Sequence, residues 1–169
     1  MESRWDAGAA RGLEGRELLA YLSRLLGAER DLVLRGGGNT SVKTVEPDRL
    51  GRPTELLHVK PSGVDLAAIR PEDFTALRLG DLRPLAEGPP LTDAEMSEHV
   101  SWTAVDPRAR RPSIETMLHA FLPERFVLHS HADALLALCN RRDGAARVAE
   151  ALGADVALVP YRRPGFLLA

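Results

Sequence analysis

Cysteine is almost missing from this chain. Cys139 stands alone, so no internal disulfide can form, and a lone thiol suits a reducing compartment. It lies in the apolar run Ala134–Cys139 and reads as a buried small hydrophobe rather than a nucleophile. A surplus of one charge is lacking too. Lys and Arg number 22 against 24 Asp and Glu, a formal net charge of -2, and the bases are scattered, which argues against nucleic acid as a partner. No apolar run approaches the ~18 residues of a membrane span, and residues 1–16 hold no apolar stretch of the signal-peptide kind. The expectation is a cytoplasmic protein that binds neither nucleic acid nor membrane. The chain has 169 residues, 44% hydrophobic and 27% charged, and a length of ~100–200 residues usually makes one domain with its own core.

After a loose polar lead-in, Leu18, Leu19, Leu22, Leu25 and Leu26 recur at helical spacing between Glu14 and Ala28. Asp31–Leu34 and Thr40–Val45 read as strands around the turn Arg35–Asn39, where three glycines permit backbone angles closed to other residues. Thr54–Lys60 is a third strand, stopped by Pro61-Ser-Gly63. Short turns at Asp65–Arg70 and Pro71–Asp73 lead into a strand over Phe74–Leu79, then a loop over Pro84–Pro90. Thr92-Asp-Ala-Glu95 matches a capping box and opens a helix to about Val105. Ser113 reads as the N-cap of a helix to Leu122. Phe126–Ser130 reads as a buried strand, Ala132–Asn140 and Gly144–Leu152 as helices, and Asp155–Val159 as a last strand. Alternating helices and strands predict one α/β domain.

The most informative segment is Phe126-Val-Leu-His-Ser-His131. Histidines at i and i+2 of a strand point the same way, about 6–7 Å apart at the backbone. Both imidazoles can then reach one metal ion at ~2.0–2.1 Å; the plainer reading is two polar residues at an exposed strand end. Glu115 falls early in the helix after Ser113, with His119 at i+4 on the same face. Plainer readings are a helix-capping charge and a packed histidine. Gly36-Gly-Gly-Asn-Thr-Ser41, Ser62-Gly63 and the helix start at Ser113 offer backbone N–H groups that suit an oxyanion, though each could be only a turn or a cap. The glycine run matches neither G-x-x-x-x-G-K-[ST] nor G-x-G-x-x-G, so no nucleotide site is indicated.

In order, Gly38-Asn-Thr-Ser, Lys60-Pro-Ser-Gly, Arg111-Pro-Ser-Ile-Glu and His129-Ser-His resemble the class II aldolase/adducin family. The phrases Arg111–Pro123 and Val127–Asp133 look closest to the branch fused to short-chain dehydrogenases, as in bifunctional rhamnulose-phosphate aldolase/dehydrogenases. The resemblance implies a three-layer α/β sandwich, with a central mixed or antiparallel sheet and helices on both faces. It spans residues 14–169 after a lead-in of 1–13. It implies Zn2+ held by His129, His131 and Glu115, with Glu115 as catalytic acid/base in surroundings that raise its affinity for a proton. Gly38, Asn39, Ser62, Gly63, Ser113 and Ile114 fall where the family binds substrate phosphate. The implied activity is reversible retro-aldol cleavage of a phosphorylated ketose through a metal-bound enediolate, in a homo-oligomer, typically a tetramer. Alternatives within the family are a sugar-phosphate epimerase or dehydratase, or a non-catalytic adducin-like or truncated module for binding and assembly.

Two departures stand out. Ile114 replaces the second serine common in the aldolase phosphate motif, removing a hydroxyl. The family also places a third histidine ligand well beyond His131, whereas the remaining histidines here, His58, His99 and His119, all lie upstream. With a chain end inside an αβ pattern, this predicts a domain shortened at its C-terminus, with an exposed sheet edge and apolar surface.

Overall fold

The leucine stripe of Glu14–Ala28 forms α1 (Gly15–Gly27), with Leu19 fully buried. The structure, a computed structural model, describes residues 2–153 and 156–169. Opposite α1 stands a four-stranded sheet of β1 (Asn39–Pro47), β2 (Pro53–Val59), β3 (Thr75–Arg78) and β4 (Phe126–His129), in the order β3-β2-β1-β4. Every pairing is antiparallel, which resolves the mixed-or-antiparallel expectation. Register sets Val42 opposite His58 and Ser41 opposite Val59 and Val127. Because side chains alternate between faces, Val42 and His58 turn to one side, Ser41, Leu57 and Val59 to the other.

Each face has its own core. Leu19 and Ala20 of α1 pack with Val42, Ile69 and Phe74, and Phe126 closes the margin. On the opposite face Leu57, Val59 and Leu77 meet three helices: α2 (Leu79–Leu82), α3 (Asp93–Trp102) and α4 (Thr116–Phe121). The result is the three-layer α/β sandwich that the resemblance implied. Two further helices, α5 (Asp133–Cys139) and α6 (Gly144–Leu152), pack together beyond β4. The capping box is present, with Thr92 N–H donating to Glu95 at 2.8 Å and Glu95 N–H donating to Thr92 Oγ at 3.2 Å. Among the described residues no helix is long and apolar enough to cross a membrane.

Several expectations are corrected. Asp31–Leu34 is a turn rather than a strand, because Leu32 and Val33 N–H both return to Glu29 O. β4 is a half-buried edge strand, not a buried one, and Leu128 is 47% exposed. Cys139 is exposed, since α5 packs on α6 without any buried residue of its own. The lead-in is tied down: Asp6 N–H donates to Tyr21 Oη at 3.0 Å, and the Trp5 ring meets Tyr21 edge-on. The strand expected at Asp155–Val159 starts outside the described residues, and Val156–Val159 forms none. Exposed apolar side chains gather on β4, α5 and the stretch 156–161, including Leu135, Leu136, Val159 and Tyr161.

Leu57, with no exposed surface, sits at the centre of the larger core. Leu57→Ala should lower unfolding free energy by about 2–5 kcal/mol. Leu50→Ala, at a residue 76% exposed, should stay within about 0.5 kcal/mol. Denaturant titration of both variants checks the contrast.

Candidate metal and substrate site

Glu115 is brought to β4 by the turn Arg111–Glu115. Ser113 does not cap the helix as expected. Its Oγ accepts Glu115 N–H at 3.3 Å, a local turn, and α4 starts at Thr116 with Glu115 itself at the N-cap. This rotates the carboxylate toward the end of β4, where His129 faces the same side of the sheet as Asn39, its partner on β1. Asn39 Nδ2 donates to Glu115 Oε2 at 3.4 Å and Ser113 Oγ donates to the same oxygen at 3.3 Å. Glu115 Oε1 lies 3.4 Å from His129 Nδ1 and 4.0 Å from His131 Nε2. His131 stands two residues past the end of β4, its N–H held by Leu32 O at 2.9 Å. The two imidazole rings are 4.8 Å apart.

These three side chains can each offer one ligand atom, all within 4.8 Å of one another. Four ligands at ~2.1 Å around a tetrahedral zinc sit about 3.4 Å from each other; Glu115 Oε1 and His129 Nδ1 already stand at that separation, and His131 Nε2 is 4.0 Å from Oε1. His129 Nδ1 is buried and has no hydrogen-bond partner among the described residues, which leaves its lone pair available to a cation. Two imidazoles and a carboxylate form a donor set of the kind that holds catalytic zinc. The residues fit the metal.

The glycine turn packs directly against this cluster. Gly38 has φ +64°, and a Cβ there would come 2.8 Å from His129 O and from Val33 Cγ1, so both conformation and space demand glycine. Lys60, buried at the end of β2, donates from Nζ to Gly36 O at 3.3 Å and Val64 O at 3.0 Å. It ties the glycine turn to the Pro61–Val64 turn. Burial pushes the Lys60 ammonium below its ordinary value, while Glu115 and Asp65 pull the other way. Ser62 and Gly63 are exposed, and Ser62 N–H is already engaged by Arg111 O at 3.1 Å. Ser62, Ser113 and Ile114 line one cleft of ≈ 370 Å³ together with Arg111. The six expected phosphate residues therefore divide between the glycine turn (Gly38, Asn39) and this cleft, with Gly63 beside it in sequence. Lys60 and Arg111 were not singled out by sequence reasoning as site residues; both lie inside the quoted motifs.

The expected proton affinity of Glu115 is corrected. Burial alone would raise its pKa, but His129, the Asn39 amide and His131 outweigh that and hold it at about 2. Glu115 is thus an ionised carboxylate. The upstream histidines stay outside the cluster. His58 turns to the α1 face and bonds Glu46 at 2.7 Å, and His99 meets Asp81 O at 3.2 Å. His119 is fully buried, its Nδ1 2.8 Å from Ser41 Oγ and its ring 6.5 Å from that of His129.

Residues 17–169 match the family described as Class II Aldolase and Adducin N-terminal domain. The chain belongs to this family. A curated relative from Bacillus subtilis (strain 168), named uncharacterized oxidoreductase YuxG, is 44% identical over 165 residues, 97% of this chain and 24% of that protein. The chain thus spans about a quarter of that relative's length. The N-terminal class II aldolase domain of a conserved protein from Thermoplasma acidophilum superposes with a TM-score of 0.91 at 43% identity. It covers 99% of this chain, which in turn covers 77% of it. The class II aldolase fold expected from the sequence agrees with that structure.

In this class II aldolase domain, burial lowers the pKa of His119 from 6.5 to about 4. Its folded-state value lies below the unfolded one, so the neutral ring adds stability above pH 6.5 that is lost as pH falls through about 4. Denaturation at pH 7, 5 and 4 should show that loss, and His119→Gln should flatten it.

Proposed function

We propose that this domain is a zinc-dependent carbon–carbon lyase that cleaves a phosphorylated ketose reversibly. The observation that carries this is the convergence of Glu115, His129 and His131 within 4.8 Å, the carboxylate from the start of α4 and the imidazoles from the end of β4 and just beyond it. Zinc bound there would supply Lewis-acid stabilisation of negative charge on the substrate's oxygens. His129 and His131 would hold the ion as neutral imidazoles, with Glu115 as the third ligand that the resemblance implied. As an ionised carboxylate aimed at the same point, Glu115 can accept a proton from the substrate and return it after the bond breaks. Asn39 and Ser113 fix its Oε2 by hydrogen bonds, leaving Oε1 toward the histidines. Gly38, Asn39, Ser62, Gly63, Ser113 and Ile114 remain the proposed phosphate surroundings. A homo-oligomer in the cytoplasm belongs to the same reading, supported by the apolar surface on β4, α5 and 156–161.

The purified chain should bind zinc one to one, and its melting temperature should fall with EDTA. Glu115→Gln should cut retro-aldol turnover by about 10²-fold or more. Full turnover in that variant rejects the role of Glu115. A melting temperature indifferent to chelator would instead favour a non-catalytic assembly module. Product analysis separates cleavage from epimerisation or dehydration at the same residues.

A further inference from the structure

The cleft beside Glu115 is lined by a cationic side chain, that of Arg111. Ser62, Ser113 and Ile114 line it on one side, and Met96 and Ser97 of α3 on the other. By itself this is a weak anion site. Ile114 brings no hydroxyl, the Ser62 N–H is taken by Arg111 O, and Met96 gives an apolar floor with 3% exposure. A phosphate dianion placed there needs a charge to replace the water it gives up.

We infer that Arg111 is the residue that binds the phosphate of the substrate in this cleft, an inference that rests on the sugar-phosphate reading above. Its guanidinium lines the cleft and bonds the neutral hydroxyl of Ser97. Among the described residues it has no carboxylate partner. Asp93 also lines the cleft, but its carboxylate is paired with Arg163 at 3.3 Å, so it does not compete for Arg111. The main chain at Arg111 is fixed by the Ser62 N–H bond and by the bridge between Pro61 and Pro112. The side chain therefore starts from a rigid base, and its planar fork, held only by the neutral Ser97 hydroxyl, can turn to take two phosphate oxygens at once. Ser113 joins the two halves of the site, lining the cleft while its Oγ bonds Glu115 Oε2. A ligand with its phosphate at Arg111 would direct its other end toward Glu115 and the histidines. In this arrangement Arg111 supplies from the start of the Arg111–Glu115 segment what Ile114 omits from its middle.

The test titrates inorganic phosphate into metal-free protein by calorimetry, so that phosphate cannot bind through zinc. Arg111→Gln should weaken phosphate binding about tenfold or more, with melting temperature and zinc affinity unchanged. Arg111→Lys should recover part of the loss. Phosphate affinity unchanged in Arg111→Gln overturns the inference. If Ser113→Ala weakens binding in that same case, the sugar-phosphate reading survives without Arg111. Failure of the parent chain to bind phosphate while it still binds zinc removes both.

Discussion

The antiparallel pairing that places Asn39 opposite His129 governs everything at the site. It brings the amide that steadies Glu115 and an imidazole that faces Glu115 to one point on one side of the sheet. Side chains alternate along a strand, so a slip of one residue would send His129 toward α1 and away from Glu115. Gly38 guards that register from the adjacent turn. It lets the backbone approach His129 O more closely than any Cβ allows, so β1 begins where β4 ends.

Around this pairing the charges are arranged with one carboxylate at the centre. Glu115 is largely buried, and an isolated buried carboxylate would be costly. Asn39, Ser113 and the two histidines offset that cost, and Lys60 adds a positive charge behind the glycine turn. The arrangement favours a charged, metal-ready Glu115 over a protonated one. On the far face, by contrast, His58 Nε2 and Glu46 form a pair of their own under α1, away from the Glu115 cluster.

Much of this was legible in the sequence because the signals were local. Five leucines at helical spacing specify α1, the Thr92–Glu95 box specifies the start of α3, and Gly144–Leu152 is helical as read. The three candidate ligands were readable as residues, and their meeting point was not, since it depends on contacts between Asn39, Glu115 and β4. The misreadings share one cause, which is that short apolar or polar runs take their structure from distant partners. Asp31–Leu34 gives its carbonyls to the N–H groups of His131 and Asp133 rather than to a ladder. Ser113 binds the amide two residues on instead of capping a helix. Glu115 has its proton affinity set by histidines 14 and 16 positions later, which no local pattern encodes.

β4 is four residues long and lies at the sheet's margin, paired only to β1 among the described residues. Amides along such a strand exchange with solvent through small local openings rather than global unfolding. The histidines therefore ride on one of the more easily detached parts of the molecule, while Glu115 is anchored through α4 to the larger core. An occupant bridging the two would act as a clasp, suppressing those openings and coupling occupancy of the site to the order of its margin.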